Sequence, residues 1–338
     1  MLLLAAGPFR ALVDRTGSLP GGWWSRAALL GVALGIILTV VALPLAFVRG
    51  HVIEHAWGLS TQSGLAWAGD QARGVLIGVV VSAVSTVAFF GVLHAAPRLW
   101  WLWGWAVFTA LTIFMTFVWP IVVAPLFNNF TPLEDGPLKT RVRALSSEAG
   151  VQVGDVLIAD ASKRSTAENA YVAGLGGTRR LVLYDTLLEG GDDDETAFVV
   201  AHELGHTTND HIIKGLVLAA VGLFLGFAAL KLLAGFQGWW NLAGAQGIGD
   251  LRSIPLLVLF ATLATLFTLP VQSSVSRHFE RQADEMAIHL TGDPETATRV
   301  FRRLAFSNLA DLRPPRAAVW LLFSHPPVAE RIRSTTAD

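Results

Sequence analysis

Five apolar stretches, each about as long as a helix needs to cross the hydrocarbon core of a bilayer, govern what this chain can fold into. They run near 27–48, 74–96, 99–125, 212–235 and 254–276. Backbone in lipid must satisfy its own hydrogen bonds, so such stretches fold as membrane-spanning α-helices. Composition agrees. Of the 338 residues, 53% are hydrophobic and only 15% charged, where soluble domains carry about 25%. Pro44, Pro120 and Pro125 fall inside these stretches, which membrane helices tolerate. The opening MLLLAAG is too short to span and lacks a clear cleavage site, so it does not read as a removed signal peptide. A net charge of −1, with no basic cluster interleaved with aromatics, excludes nucleic acid as a partner. Cysteine is absent, so disulfides and thiolate chemistry are excluded, and any metal must use His, Asp or Glu.

Between the third and fourth stretches, residues 126–211 are polar enough to be soluble. A helical pattern ends at Gly150, VLIAD (156–160) reads as a strand, and RRLVLYDTLL (179–188) as a second. RRLVLYD is read either as an edge strand able to pair with an extended substrate or as an ordinary sheet strand. After Gly190 and Gly191, the acidic run from Asp192 to Glu195 marks a helix start, complementing its positive end. That helix is expected to run from about Asp193 into the fourth span. SRHFERQADEMAIHL (276–290) is helical again, and 295–338 forms a soluble, basic tail. The reading is an α-helical integral membrane protein with a small α+β domain split by spans. It divides into an N-terminal transmembrane region, 1–125, and a second domain, 126–338, that includes the last two spans.

The chemistry sits in FVVAHELGHTTNDH, residues 198–211. His202 and His206 are one helical turn apart and can share one metal ion, zinc in the usual case. Glu203 lies about 100° around the helix. There it can reach a water held by the ion, take its proton and pass it to a leaving amine. A catalytic zinc needs a third protein ligand. The fourth and fifth spans form a hairpin, so the residues after 276 return to the side of His206. The candidates are His278, Glu280, Asp284, Glu285 and His289; Glu280 and Asp284 share a face, and spacing does not choose between them. His211 lies off the ligand face and reads as an interfacial or substrate-side group.

HELGH together with SRHFERQAD resembles the zinc-dependent CAAX prenyl endopeptidases. VIEHAWGLSTQS (52–63), APLFNNFTPLEDGPL (124–138), SKRSTAENAYVAGLGGTRRLVLYDTLL (162–188) and FSHPPVAERI (323–332) support the likeness, which covers roughly 30–335. The resemblance implies His202, His206 and Glu280 as ligands of one zinc ion and Glu203 as the catalytic base. It implies Asp284 as a partner to a ligand histidine and Asn169 beside the cleft. His325 and Arg331 would face substrate or the developing oxyanion. The family's better-known members resemble seven-span proteins enclosing a chamber, and only five spans are evident here.

The implied activity is a membrane zinc metalloendopeptidase cutting peptide bonds near the membrane surface, with partners in the lipid bilayer and a peptide or protein substrate, prenylated or not. A quality-control protease with no prenyl requirement and a non-catalytic transporter or scaffold are the competing readings. An intramembrane site-2-type protease is rejected, because no acidic ligand falls inside a later span. Lys139, Arg141, Arg143, Arg277 and Arg281 favour a zinc site facing the cytoplasm.

Overall fold

The chain is described at residues 7–17, 20–174 and 179–335 of a computed structural model. A short helix α1 (Pro8–Thr16) precedes α2 (Trp23–Phe47), α3 (Gly64–Ala95) and α4 (Trp100–Val118). Then come β1 (Phe130–Pro132), α5 (Pro137–Glu148), β2 (Asp155–Ala159), β3 (Ala170–Ala173) and β4 (Arg180–Tyr184). Helices α6 (Asp185–Gly190), α7 (Asp193–Thr208), α8 (His211–Leu233), α9 (Gln237–Ala243) and α10 (Ile254–Thr291) follow. The chain closes with α11 (Pro294–Ser307), α12 (Arg316–Leu322) and α13 (Val328–Ser334).

Among the described residues, 5 helical stretches are long and apolar enough to cross a membrane: Trp23–Ala56, Gly64–Ala95, Trp100–Leu126, His211–Leu233 and Leu251–Thr291. They are the five expected, several of them extended by helical turns beyond the apolar run. Near two prolines the helices widen. π-helical turns occupy Val48–Ile53, just past Pro44, and Trp119–Val123, which contains Pro120. Proline has no N–H to give the ladder, and a wider turn re-registers the bonds.

The chain forms two compact units. One takes Met1–Val48, Gly64–Phe114 and Leu216–Thr268; the other takes Arg49–Ser63, Met115–Gly215 and Leu269–Asp338. In the first, α2 and α3 pack through Gly31 and Gly35, a G-x-x-x-G stripe. A Cβ on Gly31 would lie 2.7 Å from the Ala83 Cα, and one on Gly35 would lie 3.1 Å from the Val79 Cα. Lipid gives no hydrophobic drive between helices, so close packing and polar contacts must do it. Ser82 Oγ donates to the Gly31 carbonyl at 2.8 Å, directly across the stripe.

The second unit holds the sheet, in the order β1-β2-β4-β3. β2 and β4 are parallel; β1 and β3 pair antiparallel with β2 and β4 respectively. β4 is therefore interior, with Leu181, Val182 and Leu183 buried. This corrects the edge-strand reading of RRLVLYD: the strand edge on that side of the sheet is β3, which packs against α7. The second half of RRLVLYDTLL is also not strand. It turns at Asp185 into α6, where the Asp185 carboxylate accepts from the Thr186 and Ser162 N–H groups.

α7 starts as its acidic run predicts, with Asp192 Oδ1 accepting the Glu195 N–H at 2.8 Å. Its first turn is tied down by Arg303, which lies 2.8 Å from Glu195 and 3.1 Å from Glu168. Phe198, Val200 and Leu204 of α7 enter the core with Phe301 of α11 and Val142 of α5. The helix does not continue into the fourth span as expected. It stops at Asn209, and Asp210 takes a left-handed conformation with φ 53° before α8 restarts at His211. Asn and Asp are the residues that tolerate this conformation best after glycine.

Candidate metal centre

Spacing on α7 puts the His202 and His206 imidazoles on one face, their Nε2 atoms 3.2 Å apart. α10 supplies the third group. It approaches α7 at Gly205, where a Cβ would lie 3.0 Å from both the Ala283 Cα and its carbonyl oxygen. That closeness carries Glu280, one turn earlier on α10, into the pair. Its Oε2 lies 3.5 Å from His202 Nε2, and its Oε1 lies 3.4 Å from His206 Nε2. Tetrahedral zinc with bonds of about 2.0–2.2 Å requires ligand atoms about 3.3–3.6 Å apart. The two imidazole-to-carboxylate distances, each to its own oxygen of Glu280, fall within that spacing and the 3.2 Å between the imidazoles lies just below it; two imidazoles with one carboxylate suit zinc chemistry. Among the described residues, these three form the cluster of His and acidic side chains able to hold a metal ion. Of the other candidates, His278, Glu285 and His289 lie outside it, and Asp284 contributes from behind.

Asp284 Oδ1 is 2.9 Å from His202 Nδ1, the nitrogen turned away from the triangle. Arg331 in turn holds Asp284 with two bonds, Nε to Oδ2 at 2.8 Å and Nη2 to Oδ1 at 2.6 Å, and its guanidinium lies over the Phe301 ring. Arg331 was expected beside the substrate. It is found committed to Asp284, its side chain only 12% exposed. Burial alone would push the His202 imidazole down, but the Asp284 and Glu280 carboxylates outweigh it and bring it up to about 9 in the metal-free protein. Burial also raises the Glu203 carboxyl above its ordinary value, against the downward pull of the two histidines. A base with a raised pKa is better matched to work near neutrality.

His325, from the loop after α12, reaches the same centre, its Nε2 3.5 Å from Glu280 Oε2. The loop is held by Arg277 of α10, which donates to the Val319 and Phe323 carbonyls at 2.7 Å each. Asn169 stands exposed at the head of β3, its side-chain oxygen accepting from the Ala170 N–H at 2.9 Å. Sequence reasoning misplaced His211. The break at Asn209–Asp210 swings it back so that its Nδ1 lies 2.9 Å from His206 Nδ1. Its Nε2 lies 3.0 Å from Gln282 Oε1, and its ring stacks on Phe279. The Asn-Asp pair was the available signal.

With that geometry in hand, the likeness to known proteins is specific. Residues 132–337 match the model of peptidase family M48, and residues 1–129 match the CAAX prenyl protease N-terminal domain, described as five membrane helices. The chain belongs to peptidase family M48. This M48 peptidase is 31% identical to an uncharacterized metalloprotease, YhfN, of Bacillus subtilis, over 89% of its own length and 71% of the relative. It is 29% identical to CAAX prenyl protease 1 of Saccharomyces cerevisiae, over 88% and 69% of the two chains. The crystal structure of S. mikatae Ste24p superposes with a TM-score of 0.87 at 26% identity, covering 97% of this chain and 80% of that one. The M48 chain is a membrane-embedded, multi-pass metalloprotease of the CAAX prenyl protease kind. The transporter or scaffold reading is not favoured.

Proposed function

We propose that the chain is a zinc metalloendopeptidase whose ion is held by His202, His206 and Glu280, within the metalloprotease segment 126–338. A zinc ion there would polarise a scissile carbonyl and bring the pKa of a bound water down to about 7. The chain's own residues supply the rest. Glu203 takes the proton of the attacking water and returns it to the leaving amine. Asp284, held by Arg331, fixes the His202 ring. His325, at the mouth beside Glu280, faces the oxygen on which charge develops. The end strand β3, preceded by Asn169, receives an extended substrate as an added strand, which presents the bond without reading much sequence.

The single observation that supports this reading best is the triangle of two imidazoles and one carboxylate with edges of 3.2–3.5 Å. The site is proposed to face the cytoplasm, and the substrate to be a protein or peptide carrying a prenyl group, by analogy with the relatives named CAAX prenyl protease 1. Metal analysis of the purified protein, combined with cleavage of a farnesylated peptide and its unmodified twin, tests it. One zinc per chain and chelator-sensitive cleavage favouring the farnesylated peptide are expected. Equal cleavage of both peptides would remove the prenyl requirement, and cleavage unaffected by chelation would remove the metal.

A further inference from the structure

A ligand imidazole binds a metal through one nitrogen and is aimed by whatever holds the other. In this centre the two ligand histidines are held differently. His202 has an ionised partner, Asp284, tied to Arg331. His206 has a neutral one, His211, which continues to Gln282. We infer that His211 and Gln282 form a polarised hydrogen-bond relay that fixes His206 in the tautomer able to bind the metal. This rests on the reading of His206 as a ligand.

Direction follows from both ends of the chain independently. At the metal end, His206 must present the Nε2 lone pair to the triangle, so its proton sits on Nδ1 and is donated to His211 Nδ1. At the far end, Gln282 turns its Oε1 towards His211, and an amide oxygen can only accept. His211 therefore carries its proton on Nε2, leaving Nδ1 free to accept. The two requirements agree: each imidazole holds one proton, and each proton points away from the metal along the relay. The reverse polarity would put a proton on His206 Nε2 and close it to metal.

Packing keeps the relay in place. His211 is buried at 6% exposure, and its ring lies parallel to Phe279, centroids 4.2 Å apart and planes 11° apart. α10 thus contributes three neighbouring functions: Phe279 stacks, Glu280 enters the triangle and Gln282 sets the polarity.

The test uses the full-length protein in detergent or nanodiscs, stripped by chelator and titrated with Zn²⁺ and Co²⁺ alone. Readouts are the metal dissociation constant by chelator competition, the visible absorption of the Co²⁺ form and the melting temperature of the stripped protein. His211→Leu is expected to weaken binding about 10- to 100-fold and to change the Co²⁺ spectrum. His211→Asn, whose oxygen falls close to the position of Nδ1, is expected to restore most of it. Gln282→Glu keeps an acceptor and is expected to bind like wild type, whereas Gln282→Lys offers only donors and is expected to weaken binding at least tenfold. Binding by His211→Leu or Gln282→Lys at wild-type affinity, or equal losses in Gln282→Glu and Gln282→Lys, overturns the relay. If wild type and His206→Ala bind metal equally, the ligand reading itself fails, which these variants distinguish.

Discussion

At the scale of single residues, the proposed mechanism separates groups that touch reacting atoms from groups that aim them. Glu203 points from α7 without completing the triangle, so replacing its carboxylate with an amide should spare metal and fold. Glu203→Gln is expected to keep stoichiometric zinc and its melting temperature while turnover falls about 10²- to 10⁴-fold. Wild-type turnover in that variant would remove Glu203 from the chemistry. Asp284 acts from behind. Asp284→Asn would leave Arg331 buried without its counter-charge and loosen the His202 ring. Loss of one partner of such a buried pair costs about 3–5 kcal/mol, and metal affinity should fall about 10- to 100-fold. Unfolding and metal competition measured on the same preparation check both; an Asn variant as stable as wild type would show that Arg331 finds another partner.

At the scale of elements, the site depends on how closely two helices run together. Gly205 sits in HELGH where the side chain of any other residue would press on the α10 backbone at Ala283. Gly205→Ala should therefore push α10 away, at about 1–3 kcal/mol, and move Glu280 with it. A melting temperature lowered together with weakened zinc retention is expected, and retention equal to wild type would show that α10 can yield without moving the triangle. The same elements show what a sequence discloses. The five spans were legible because apolar length is a local property, and the histidine pair because helical periodicity is local too. Glu280 was confined to a short segment by the hairpin argument, but its choice over Asp284 came from the family likeness and not from spacing. The place of β4 inside the sheet was not legible, since strand order is set by tertiary pairing and RRLVLYD looks the same at an edge or in the middle. His211 was hidden because two residues, Asn209 and Asp210, break the helix that periodicity would have carried through.

At the scale of the whole molecule, metal, protons and stability are coupled through His202. In the stripped protein its pKa stands at about 9, above the unfolded value of about 6.5. A group raised on folding contributes stability that is fully present below its unfolded pKa and is lost as pH rises through the folded one. The stripped protein should therefore lose stability between about pH 6.5 and 9, through this group. Zinc needs the same imidazole neutral, so binding at pH 7 must release its proton, and apparent affinity should climb with pH over that window. The two effects run in opposite directions. The gap between the melting temperatures of the zinc-loaded and stripped proteins should widen from pH 6.5 to 9, because the loaded form gains occupancy while the stripped form weakens. Calorimetric titration in buffers of different ionisation enthalpy should count at least about one proton released per zinc at pH 7, from His202 together with part of one from the bound water. A gap that stays constant across the window, with no proton released, would mean that His202 is already neutral before the metal arrives and that Asp284 aims the ring without charging it.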